Sequence, residues 1–106
     1  MSFKWPDKDP DDILDYSIDW SRFLESDTID SVTWFCDDAD NVKQNFDTPT
    51  TIINGLQHVS NSNSNTTATI QLSLGTANTT YDLYCQVTTS GGLTAERKIR
   101  LRVREV

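Results

Sequence analysis

From Thr80 to Arg104 the chain alternates almost without a break. Tyr81, Leu83, Cys85 and Val87 alternate with Asp82, Tyr84, Gln86 and Thr88. Ile99, Leu101 and Val103 then alternate with Lys98, Arg100, Arg102 and Arg104. Period two puts successive side chains on opposite faces of a strand, a pattern that no helix satisfies. Between the runs stand Ser90-Gly91-Gly92, residues suited to the positive φ of a tight reversal. The segment therefore reads as a long β-hairpin, with one face buried and the other charged.

The same period extends upstream. In Thr67–Leu74 the residues Ala68, Ile70, Leu72 and Leu74 alternate with Thr67, Thr69, Gln71 and Ser73, and Gly75-Thr76-Ala77-Asn78 supplies the next turn. Less regular strands are expected over Leu14–Trp20, Ile29–Cys36, Val42–Phe46, Thr51–Ile53 and Leu56–Val59. One helical turn fits Ser21–Ser26, and Asn61–Asn65 reads as a polar loop. With 106 residues the chain has room for one modest core. Six to eight short strands separated by turn signals predict an all-β protein, a single Ig-like β-sandwich. Cys36 and Cys85 with Trp34 hint at the immunoglobulin pattern, although Trp34 precedes Cys36 on the same strand. An open barrel of similar strand count is the rival architecture.

The net charge is −7, unevenly placed. Residues 1–47 hold 13 acids and 4 bases, a local −9; residues 48–106 hold 3 acids and 5 bases, a local +2. Such a balance argues against nucleic acid as a partner, because binding phosphates requires cations. No apolar run of membrane-spanning length occurs, so no membrane partner is expected. Met1-Ser2-Phe3-Lys4 lacks the apolar core of a signal peptide, which points to synthesis in a cytosol. In that compartment Cys36 and Cys85, both on inward-facing positions, are expected as free buried thiols, and the Asn65 and Asn78 sequons carry no meaning.

The candidates for site chemistry are weak. Asp7, Asp9 and Asp11 alternate like the first ligands of a calcium loop. The sixth and twelfth positions, however, hold Asp12 and Ile18 where glycine and glutamate are required. Asp37-Asp38-Ala39-Asp40 reads as a polar turn. His58 is the one histidine, with no nucleophile motif beside it. The expectation is a non-enzyme with no catalytic residues, no metal and no cofactor.

Two features suit partner binding. Lys98, Arg100, Arg102 and Arg104 share one face of one strand. They form either a docking stripe for an acidic partner or a solvated face paired with acids such as Asp15 and Asp19. The leader Lys4–Trp20 carries six aspartates, two prolines and two tryptophans. Pro6 and Pro10 hold the residues before them extended. Residues 1–12 are thus expected as an extended N-terminal arm ahead of a domain at 13–106. Phe3, Lys4, Trp5, Pro6, Lys8 and Pro10 are its partner-binding residues, with aromatic anchors of the kind that dominate interfaces.

The opening K-D-P-D-D-I-L-D-Y and the closing T-T-S-G-G-L-T-A-E-R-K-I-R-L-R-V-R together resemble a family of small tailed-phage virion proteins, commonly labelled fiber-tail adaptor or minor structural proteins. The resemblance runs from Lys4 to Arg104 and is weakest over 37–65. It implies a non-enzymatic virion component made in the host cytoplasm, with an Ig-like domain. Such an adaptor would join tail to fibers and dock by its arm and sheet surfaces. The implied partners are other phage structural proteins (tail, fiber or major capsid protein) and further copies of itself. A capsid decoration or cement protein is the alternative. A carbohydrate or host-surface binding module, stacking sugars on Trp5, Trp20 or Tyr84, is another.

Overall fold

The computed structural model describes residues 3–105; of Phe3 only the backbone is described, and its side chain lies outside the described residues. The strands are β1 (Phe3–Lys4), β2 (Leu14–Asp19), β3 (Ile29–Asp37), β4 (Lys43–Asn45), β5 (Ile52–Ile53), β6 (Leu56–Asn63), β7 (Thr67–Leu74), β8 (Thr79–Thr89) and β9 (Thr94–Val103). A single helical turn, α1 (Ser21–Leu24), follows β2. They form two sheets, ordered β1-β9-β8-β3-β4 and β2-β7-β6-β5. All pairings are antiparallel except β1 with β9. The architecture is a β-sandwich, and the barrel alternative falls away.

The hairpin predicted at the C-terminal end is β8–β9, in continuous register from Thr79↔Val103 to Thr88↔Thr94. Its turn divides the two glycines by role. Gly92 takes the positive φ, at 91°, whereas Gly91 is needed for space: a Cβ there would lie 2.7 Å from an Asp27 carboxylate oxygen. The β5–β6 reversal uses Asn54-Gly55, both at positive φ between the paired Ile53 and Leu56. That dipeptide is the strongest short hairpin signal in the sequence and pins the register there.

Alternation delivers the core. Tyr81, Leu83, Cys85 and Val87 of β8, with Ile99, Leu101 and Val103 of β9, are buried against Ala68, Ile70 and Leu72 of β7 and Tyr16 and Ile18 of β2. Trp34 sits at the centre, fully buried and directly across from Cys85. Cys36 lies across from Leu83, so the two cysteines occupy neighbouring strands of one sheet two register steps apart, and both thiols are free. Leu14, at the start of β2, stands 37% exposed, whereas Tyr16 and Ile18 further along the strand are buried.

Asn61–Asn63, read as loop, continue β6 and pair with Ile70, Thr69 and Ala68. Here the ladder overrides side-chain polarity: β7 offers free backbone partners, and a bulge between His58 and Ser60 swings the strand's end clear of the core. The expected Val42–Phe46 strand shortens to β4, and Phe46 drops into the core, its N–H donating to the Trp34 carbonyl at 2.9 Å.

The leader's backbone is extended, but it does not stand away from the domain. Phe3 and Lys4 pair in parallel with Ile99 and Arg100, and Lys8 bridges to Val103. This stretch, Phe3–Lys8, is a strap laid along the outer edge of β9. Burial supplies the physical reason. Trp5 is 7% exposed, its ring 4.8 Å from Tyr16 and 6.1 Å from Trp34 by centroid. Covering an indole removes far more apolar surface from water than an exposed arm would allow.

Candidate docking surface

The basic row lies as its spacing predicted. Lys98, Arg100, Arg102 and Arg104 all project from the outer face of the β9 edge, and all four are exposed. From Lys98 to Arg104 the strip runs six residue steps, about 20 Å at strand rise. β1 adds Lys4, exposed and registered beside Arg100.

Their counter-charges are not those proposed from the sequence. Asp15 and Asp19 belong to β2, in the other sheet. β8 neighbours β9 instead, and its Asp82 lies 3.6 Å from Lys98 Nζ and 3.4 Å from Arg100 Nε. Arg104 Nε meets Asp7 on the strap at 2.8 Å. Arg102 and Lys4 have no ion-pair partner among the described residues. Five cations against two carboxylates leave this edge net positive on a chain whose total is negative. The pairs are half exposed, so each stabilises the fold by only about 0–1 kcal/mol.

A second cluster shares this face and was not anticipated. Phe35, Tyr84 and Lys98 form one cross-strand row. Lys43 of β4 reaches over it, its Nζ 4.5 Å from the Phe35 ring centroid, 4.7 Å from that of Tyr84 and 2.6 Å from Glu96. The Tyr84 hydroxyl donates to Asp37 at 3.0 Å. Burial, then that carboxylate, hold its pKa up at about 12. The sequence signal, an aromatic on the polar face of each of two strands, becomes readable only once β3 and β8 are known to be neighbours.

The leader residues divide. Lys4 and Pro6 are exposed, and Pro10 is partly so. Trp5 and Lys8, expected as partner-binding residues of a free arm, are instead buried within the chain's own fold. The Lys8 Nζ donates to the carbonyls of Leu74 at 2.6 Å and Asp9 at 2.9 Å. Burial lowers its pKa, while Asp12, Asp9 and Asp11 act in the opposite sense. Nothing in the sequence flags a buried lysine, since its burial depends on the carbonyl array where β7 ends.

The remaining candidates take structural places. His58 is fully buried, its ring 5.8 Å from Phe46 and its Nε2 3.0 Å from the Asn61 amide nitrogen. Asp38 accepts from the Val42 and Asp40 amides, which lowers its pKa and makes the 37–40 cluster a closed polar turn. Of the aromatics considered for sugar stacking, Trp5 and Trp20 are buried. Among the described residues no group of three His, Cys, Asp or Glu side chains is placed to hold a metal ion. No helix of the described residues is long and apolar enough to cross a membrane.

Fold and face together define a small β-sandwich domain with a charged strip on the outer face of one sheet. Residues 8–102 match the family model described as "Podophage GP4 fiber-tail adaptor protein gp77", and the chain belongs to that family. The match covers β2 to β8 and most of β9, and it leaves the strap up to Asp7 outside. No curated protein matches the chain.

Proposed function

We propose that this chain is a non-enzymatic structural component of a podophage virion, an adaptor between tail and fiber, and that it docks through the outer face of β9. Membership of the fiber-tail adaptor family supports the role. The observation that supports the docking surface is the surplus of cations along β9 and β1, with Arg102 and Lys4 without an ion-pair partner among the described residues. Complementary charge of this kind steers encounter and fixes register more than it adds affinity. The partner face is therefore acidic and belongs to a tail or fiber protein. We also read the sandwich as Ig-like. Its two sheets hold strands in the order such domains use, and the Tyr81 hydroxyl, near the start of β8, accepts from the Thr76 amide at 2.9 Å and donates to the Asn54 carbonyl at 2.6 Å.

The test is the double reversal Arg100→Glu, Arg102→Glu, introduced during phage assembly. The reading predicts particles that have lost their fibers while the purified variant keeps its melting temperature. Particles with a full complement of fibers would overturn the docking surface. A copy number matching that of the major capsid protein would favour decoration of the head instead.

A further inference from the structure

We infer that the end of the second sheet where β2 and β6 begin is a further docking surface. It takes a segment of a tail or fiber protein in which lysine or arginine flanks aliphatic side chains. Six large hydrophobic residues are exposed among the described ones, and four of them, Ile13, Leu14, Ile52 and Leu74, gather at this end. Ile52 pairs with Gln57 and Gln57 with Ser73, and one further step of the β2–β7 register places Ile13 beside Ser73. Ile13 and Ile52, 61% and 55% exposed, stand at the two ends of this row. Three strand spacings, about 14 Å, separate them. Between them the Ser73 hydroxyl donates to Gln57 Oε1 at 3.0 Å, a bond that a covering partner leaves intact.

The fold does not ask for these side chains. Further along the same face the outward positions of β2 and β7 are polar: Asp15, Ser17, Thr67, Thr69 and Gln71. Leu74 takes φ 60°, a region that disfavours leucine and suits asparagine, and it is still 48% exposed. A leucine held there, half in water, adds little to the core. Single aliphatics scattered over a surface need no account, but a group of them at one end of one sheet marks a site of interaction. Charge selects the occupant. β2, β5, β6 and β7 carry no lysine or arginine; every strand cation lies in the other sheet. Asp11, Asp12 and Asp15 are exposed beside Ile13 and Leu14. The buried Lys8 ammonium faces this turn and offsets one of the three carboxylates, so the rim stays negative. Its complement is an aliphatic centre with a cationic rim. The β9 strip has the opposite sign and lies on the opposite outer face, so the two surfaces take different partners, as joining two components requires.

The proposal rests on the reading of the chain as a virion adaptor, and its test separates the two. In full-length chains assembled into particles, the photo-crosslinking residue p-benzoylphenylalanine replaces Ile13 in one variant and Ile52 in another. A control carries it in place of Ser62, exposed at the far end of β6. After illumination the linked peptides are read by mass spectrometry. The expected result is a link from positions 13 and 52, at least fivefold above that from position 62, to one segment of a tail or fiber protein that holds lysine or arginine. Adding Leu74→Asn or Asp15→Lys to the Ile52 variant should weaken the link at least fivefold without lowering the melting temperature. Several results overturn this proposal alone: no link above the control, a link to another copy or to a segment without cations, or a link that either substitution leaves intact. A melting temperature lowered by Leu74→Asn does the same, since it assigns the leucine to the fold. Absence of the unsubstituted chain from particles overturns the adaptor reading and this proposal with it.

Discussion

The indole N–H of Trp5 donates to the backbone carbonyl of Ser17 at 3.3 Å, and so joins the strap beside β9 to a strand of the opposite sheet. Lys8 makes a second such link to the end of β7. The leader is thus a staple across one side of the sandwich. Trp5→Ala is expected to destabilise the protein by about 3–5 kcal/mol in denaturant titrations, the usual range for a buried tryptophan. Removing residues 1–8 is expected to cost at least as much. An unchanged unfolding midpoint in the truncated protein would show that the strap contributes nothing to the sandwich.

Cys36 and Cys85 set an alkaline limit. Burial pushes both thiols from an ordinary 9.0 up to about 12. The unfolded chain loses these protons from pH 9 upward while the folded chain keeps them. The stabilisation from neutral burial is therefore full below pH 9 and is lost between pH 9 and 12. Melting curves should fall more steeply above pH 9 in the wild type than in a Cys36→Ala, Cys85→Ala variant, whose overall stability is lower. At neutral pH both thiols should resist a thiol-reactive dye until the protein unfolds.

Asp27 sets an acid limit. It accepts from the Thr89 hydroxyl and from the Thr28 and Gly91 amides, and these bonds hold its pKa below the ordinary 3.8. A depressed carboxyl stabilises the fold above its unfolded pKa and loses that contribution as pH falls through the folded value. The melting temperature of Asp27→Asn should lie below that of the wild type at neutral pH. The gap should close below pH 3.8, as paired melts across that range will show.

The exposed bases behave differently. Arg102→Glu should change unfolding free energy by no more than about 0.5 kcal/mol, since its side chain is exposed and makes no ion pair among the described residues. Its effect should appear in pull-downs with tail and fiber proteins, where wild-type capture should weaken as salt rises. Salt-independent capture would show that charge is not what the partner reads.

How much of this was legible follows from the physics of each element. β7, β8 and β9 declare themselves, because one buried face forces alternation; the pattern breaks only where β7 ends, with Ser73 buried and Leu74 exposed at positive φ. The polar end of β6 does not, because its pairing satisfies backbone rather than side chains. The basic row was legible as a row, but Asp82 and Asp7 as its partners required the strand order. The leader misled for a related reason. Prolines and aspartates describe a solvated segment, and only the edge of β9 that β8 leaves open, together with the space beside Trp34, explains why Trp5 and Lys8 turn inward.

The parallel pairing of Phe3 with Ile99 joins positions 96 residues apart. Loop-closure entropy makes a contact of such separation late to form, so the β8–β9 hairpin closes before the strap is seated, and the Trp5 indole and the Lys8 ammonium stay in water until it has.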